Sequence, residues 1–150
     1  MEQNKIVESF FKAIEKSDFT AAESLVSNNC KITGVGPDGL GIKEFLGVHR
    51  AFNTGMPDFK FNYKIGNVKN NVVETKVKLT GTHFKEMPAP IPGLHNIPAT
   101  NKLLRMPEEK VTFTIKDNKI ERVNLEQVPG GGLPGVLKQL GVEIPQEVHH

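Results

Sequence analysis

Residues Asp58 to Ile65 read DFKFNYKI. Phe59, Phe61, Tyr63 and Ile65 alternate with Lys60, Asn62 and Lys64, so an extended backbone puts the large apolar groups on one side and the polar ones on the other. A helix would scatter them. The period of two predicts a half-buried strand. Upstream of Pro57 the period is near four instead. Ile6, Val7, Phe10, Phe11 and Ile14 form the buried stripe of a first helix over Glu2–Lys16. Asp18, an N-cap type of residue, opens a short second helix carrying Phe19, Ala22, Leu25 and Val26. Phe45, Val48, His49 and Phe52 mark a third, from Ile42 to Asn53. CKITGVGPDGLG, Cys30 to Gly41, reads as a brief strand and a glycine-rich turn.

Downstream, alternation continues. GNVKNN is a turn, and Val73, Thr75, Val77, Leu79, Gly81 and His83 then face one side of a long run. VTFTI buries Val111, Phe113 and Ile115, and KIERVNLEQV returns after a turn at Asp117 and Asn118. A three-residue loop with Asn118 left-handed puts Glu121, Val123, Leu125 and Gln127 on the same face; a two-residue loop brings Arg122 and Asn124 inward instead. Helices first and strands after them predict an α+β layer, three N-terminal helices against one face of a curved antiparallel sheet. Between the layers a hollow is expected, and ligand sites favour such places.

At 150 residues the chain is expected to form one domain with one site. Its formal net charge is +2, with acids and bases interleaved along the sequence, which points to neither nucleic acid nor an anionic membrane. Cys30 is the only cysteine, so neither an internal disulfide nor a cysteine-rich zinc site can form. No apolar run is long enough to cross a bilayer. MEQNKIVESFF has no signal-peptide pattern, so the cytoplasm is the expected location. The final VHH has the look of a purification tag, and His149 and His150 carry no functional reading.

One stretch breaks the strand pattern. GTHFKEMPAPIPGLHNIPATNK, Gly81 to Lys102, holds Pro88, Pro90, Pro92 and Pro98. Proline fixes φ and removes a donor, so residues 85–102 predict a stiff strap crossing one end of the sheet. Ile91, Leu94, Ile97, Leu103, Leu104 and Met106 make it too apolar to stay disordered. It reads as a lid over the hollow, or as a contact between two copies of the chain. Residues 129–150 supply a glycine hinge and a helix from Pro134 to Leu140, a possible second cover.

Several side chains could carry chemistry at such a site. His83, at the end of an inward row, could act as a general base or bond a ligand carbonyl; the plainer reading is a rim histidine bonded to backbone. Glu121 beside Phe113 would have its charge disfavoured and could serve as an acid, or could lie in water at the sheet edge. His49 points from the third helix toward the sheet, as a ligand contact or as a satisfied core residue. Tyr63 and Thr75 offer hydroxyls, for which core partners are the commoner outcome. Phe61, Phe113 and Gln127 line the inner face, and Leu94 and Ile97 cover it. His83 and His95 with a carboxylate lack the tight spacing of a metal site.

In order and spacing, FNTGMPDFKF (Phe52–Phe61), GTH (Gly81–His83), IPATNK (Ile97–Lys102), DNKI (Asp117–Ile120) and LKQLGV (Leu137–Val142) resemble the SnoaL-like polyketide cyclases of the nuclear transport factor 2-like superfamily. VESFFKAIEKSDFTAAESLV is similar to that superfamily's first two helices. The resemblance implies a cone-shaped α+β barrel with an internal pocket for a small apolar molecule, often dimeric. It also implies cofactor-free cyclase, isomerase or dehydratase chemistry, or ligand binding without turnover; a third possibility is an interaction subunit whose pocket is filled. Where such cyclases carry Glu-His-Trp after this turn, the chain has ERVNLEQVPGGG, without the His-Trp pair, so aldol ring closure is not carried over. The acid–base roles would fall to His83 and Glu121, with Tyr63 orienting the substrate.

Overall fold

The computed structural model describes residues 2–35 and 39–142. Helix α1 (Gln3–Glu15) buries Ile6, Val7, Phe10, Phe11 and Ile14. It ends where Ser17 turns left-handed at φ 60°, and the carboxylate of Asp18 then accepts the Ala21 N–H at 3.1 Å to start α2 (Phe19–Ser24). Strands β1 (Val26–Thr33) and β2 (Leu40–Gly41) lead into α3 (Ile42–Gly55). β3 (Lys64–Lys69), β4 (Val72–Val77), β5 (Thr80–Thr82), β6 (Leu103–Arg105), β7 (Glu109–Lys116) and β8 (Lys119–Leu125) follow, and α4 (Gly132–Gln139) closes the described chain.

Six strands make one curved sheet in the order β2-β1-β8-β7-β4-β3. β5 and β6 pair separately. The class is α+β, with N-terminal helices against an antiparallel-rich sheet. One pairing departs from the expected antiparallel layer: β1, which lies between the helices in sequence, runs parallel to β8. It is also longer than CKIT suggested, because Val26–Asn29 joins it across a register shift that absorbs the mismatch.

The DFKFNYKI segment is extended but is not one regular strand. Before β3 it pairs through a bridge between Lys60 and Thr80, and the Phe61 carbonyl accepts the Lys78 N–H at 2.8 Å. Asn62 breaks it by turning left-handed at φ 50°, with its amide donating to the Lys78 carbonyl at 2.8 Å. Phe59 and Phe61 nevertheless point inward and are buried. Pairing with β4 begins at Lys64 and continues through GNVK across a register shift between Ile65 and Val68, so the turn is only Asn70–Asn71, both left-handed. The run after it splits near Lys78, its first half joining β7 and its second β6. All the odd positions from Val73 to His83 are buried.

The last hairpin combines the two registers considered from sequence. Asp117 and Asn118 form a two-residue turn, at φ 52° and 61°. The pairing Ile115–Ile120 then gives way to Thr114–Arg122, leaving Glu121 as an extra residue. That bulge returns Val123 and Leu125 to the inner side and keeps Arg122 and Asn124 exposed.

Candidate functional site

The space between α1, α3 and the inner face of the sheet is filled by rings. Phe11 lies 4.8 Å from both Phe61 and Tyr63 and meets Phe113 edge-on at 5.4 Å. Phe10 stands 6.0 Å from Phe113. His49, on α3, sits among four phenylalanines: Phe45 at 4.7 Å, Phe61 at 5.3 Å, Phe52 at 5.5 Å and Phe59 at 5.6 Å. Its spacing from Phe45 and Phe52 on one helical stripe is what aims it there.

His49 is the polar exception in this nest. It is 5 % exposed, and among the described residues its Nδ1 has no hydrogen-bond partner. Burial drives its pKa down to about 3, so the ring is neutral at physiological pH. A neutral imidazole can exchange a hydrogen bond with a carbonyl or hydroxyl, but at that pKa it is a poor base.

His83 occupies a different place. It is wholly buried beneath the proline strap, and its Nδ1 lies 2.9 Å from Thr100 Oγ1 and accepts the Thr100 N–H at 3.3 Å. The proton therefore belongs on Nε2, which is enclosed without a hydrogen-bond partner among the described residues. Burial lowers the pKa of His83, opposed by the Ile97 and Lys85 backbone. Thr100, absent from the sequence reading, has no pattern that would announce it. The strap folds back on itself, Met87 and Ile97 exchanging backbone hydrogen bonds at 2.7 and 2.8 Å. It rests on the end of α3, where a methyl on Gly55 would stand 2.6 Å from Met87 Cβ.

The other expected residues divide between core and rim. Glu121 is half-buried on the bulge of β8, close enough to Cys30 that its charge reinforces burial in lifting that thiol to about 11. It is in the six-stranded sheet, whereas His83 follows β5 of the two-stranded one. Thr75 is buried and donates to the Val111 carbonyl at 2.7 Å. Tyr63 is half-buried, stacked on Phe11, and burial raises its pKa, with Glu8 and Glu15 adding and Lys12 opposing. Gln127 is not on the inner face; the strand ends at Leu125, and its exposed amide donates to the Gly34 carbonyl at 2.8 Å. Ile97 is buried and Leu94 half-buried against the core.

Among the described residues, hollows also lie outside the ring-filled space. One of about 290 Å³ is bounded by Glu23, Val26, Ser27, Asn28, Ile42 and Lys43. Another of about 200 Å³ adjoins it and reaches Phe19, Leu46 and Arg50. Neither includes an expected site residue. Among the described residues no group of three histidine, cysteine or carboxylate side chains could hold a metal ion.

No protein-family model matches the chain, and neither does any curated protein. Solved structures do match. A SnoaL-like polyketide cyclase from Agrobacterium tumefaciens C58 superposes with a TM-score of 0.64 at 16 % identity, over 94 % of this chain and 99 % of its own. A proposed polyketide cyclase from Pseudomonas putida KT2440 gives 0.66 at 17 %, over 93 % and 98 %. A cystatin-fold protein from Novosphingobium aromaticivorans gives 0.58 at 12 %, over 85 % and 99 %. The fold is thus the one that these polyketide cyclase and cystatin-fold structures share. At these identities the likeness establishes architecture, and chemistry has to be argued from the site.

Proposed function

We propose that the protein binds a small apolar molecule, aromatic or polycyclic and bearing a carbonyl or hydroxyl, between α3 and the inner face of the sheet. The observation that carries this is His49: a neutral ring enclosed by four phenylalanines, with Nδ1 unpartnered. An unpaired buried polar atom costs about 1–3 kcal/mol, and a ligand oxygen would remove that cost. Phe61 and Phe113 supply apolar contact, and Tyr63 a hydroxyl near the rim. Because the rings fill the space, entry requires both the cover and the packed rings to move. The strap carrying Leu94 and Ile97 is the piece best suited to it. No cofactor is needed for this role, and the lone buried thiol of Cys30 suits a reducing cytoplasm.

Turnover, if present, would be cofactor-free isomerisation, cyclisation or dehydration, with His83 or Glu121 carrying the proton. Binding without turnover is favoured, because Glu121 stands on the six-stranded sheet and His83 lies beyond the end of β5 in the other, and the ring nearest the proposed ligand is a weak base. Screening aromatic ketones and phenols by thermal shift tests the reading. A hit that stabilises the native chain and is lost in His49→Leu supports it; hits that survive that substitution unchanged contradict it.

A homodimer is the second reading. Phe84 and Leu103 are 55 % and 51 % exposed at the β5–β6 edge of the strap, an apolar surface a second copy could cover. Sedimentation should then show a dimer that Phe84→Ser with Leu103→Ser converts to monomer.

A further inference from the structure

The outward face of the six-stranded sheet carries more basic than acidic side chains, and the bases cluster on it although the whole chain carries only +2. Alternation along each strand turns Val73, Thr75, Val77, Val111 and Phe113 inward and leaves Lys31, Lys64, Lys76, Lys78, Lys110 and Arg122 exposed on the other side. Register then sets like charges directly opposite one another. Lys64 faces Lys76, Lys76 faces Lys110, and Lys31 faces Arg122. Three lysines thus form a row across β3, β4 and β7, adjacent strands about 4.8 Å apart.

Opposed like charges destabilise a sheet. Lysine on an edge strand is explained as protection against edge-to-edge pairing, which accounts for Lys64 on β3. Lys76 and Lys110 stand on strands paired on both sides, where no edge needs protecting. Glu108 and Glu74 lie 4.0 Å from Lys76 and Lys110, and the exposed Glu126, whose N–H bonds the Lys110 carbonyl, continues the row beyond β7; the two ion-paired couples are between 42 % and 61 % exposed, and such pairs offset little.

We infer that this face docks an acidic segment of a partner protein, whose carboxylates fill the row and relieve its repulsion. Thr112, Thr114 and Asn124 alongside offer neutral hydrogen bonds to a polypeptide. Nucleic acid fits less well. Among the described residues of this face there is no aromatic ring on which a base could stack. A membrane finds no apolar wedge to insert. A second copy brought face to face would meet its own sign of charge.

The test uses the full chain and a fluorescein-labelled poly-glutamate peptide, followed by anisotropy. Binding should weaken steeply with salt. Lys64→Gln with Lys76→Gln and Lys110→Gln should reduce affinity about tenfold, while Lys5→Gln with Lys16→Gln and Lys43→Gln, the same loss of charge on the helical side, should change it less than about twofold. The first triple variant should also melt no lower than the native chain, since it removes repulsion. Equal losses in both triples would overturn the inference. So would a lower melting temperature in the first, or duplex DNA or phosphatidylserine vesicles binding more tightly than the peptide at the same salt.

Discussion

His49 gathers the two properties that make the interior more than a packed core: a polar atom with no partner and a surround of phenylalanine faces. In the folded state its pKa of about 3 lies far below the ordinary 6.5, so the unfolded chain binds the extra proton between those values. Stability is therefore present in full above pH 6.5 and is lost as pH falls toward 3, by at most about 1.4 kcal/mol per pH unit. His49→Leu, similar in volume and without a polar atom, should be more stable than the native chain by about 1 kcal/mol at neutral pH. It should also show a shallower acid limb in denaturation followed from pH 7 down to about 3.5; an unaltered limb would mean that His49 is not the buried neutral group. The helical stripe of Phe45, His49 and Phe52 let the sequence place this residue against the sheet. That Nδ1 would find no partner there depends on Phe59 and Phe61, which come from another element, and no spacing within α3 foretells it.

The elements were legible wherever a period ran unbroken, and obscure where a single asparagine overrode it. α1 and α3 agree with their stripes to within two residues. Asn62 and the Asn70–Asn71 pair instead adopt left-handed backbone, so that DFKFNYKI bends before it pairs and GNVK becomes strand. The hairpin at Asp117–Asn118 shows the same limit, since the bulge at Glu121 restores the inward face by a route that turn composition alone does not specify. The strap was recognisable from its prolines, but its anchor was not: the Thr100 contact to His83 joins residues 17 apart. Two substitutions test that anchoring. Gly55→Ala should destabilise by about 1–3 kcal/mol, because Met87 has to move out of the way. Thr100→Val should speed hydrogen exchange at Met87 and Ile97 while leaving β4 and β7 protected; uniform protection in the variant would show that the strap does not depend on His83.

Across the molecule, one sheet presents two unlike surfaces: an aromatic interior roofed by helices and a lysine-rich exterior. Interleaved charge along the chain hid the second, because alternation in a strand sorts neighbours in sequence onto opposite faces. The first was expected as an open chamber and is instead filled by Phe10, Phe11, Phe61 and Phe113, whose packing depends on volumes that periodicity does not report. If the acid–base proposal for His83 and Glu121 holds, substituting the residue that carries the proton, His83→Ala or Glu121→Gln, should slow turnover of an identified substrate at least about a hundredfold; unchanged rates in both would show that neither carries it. The central claim is that His49 and its ring of phenylalanines receive the ligand. It is tested most directly by titrating ¹⁵N-labelled protein with an aromatic ketone such as benzophenone while following the His49 ring nitrogens. The account predicts a saturable shift at His49 Nδ1, together with changes at the amides of Phe45, Phe52 and Phe61. Saturable binding that shifts only surface amides and leaves the His49 ring unmoved would contradict it.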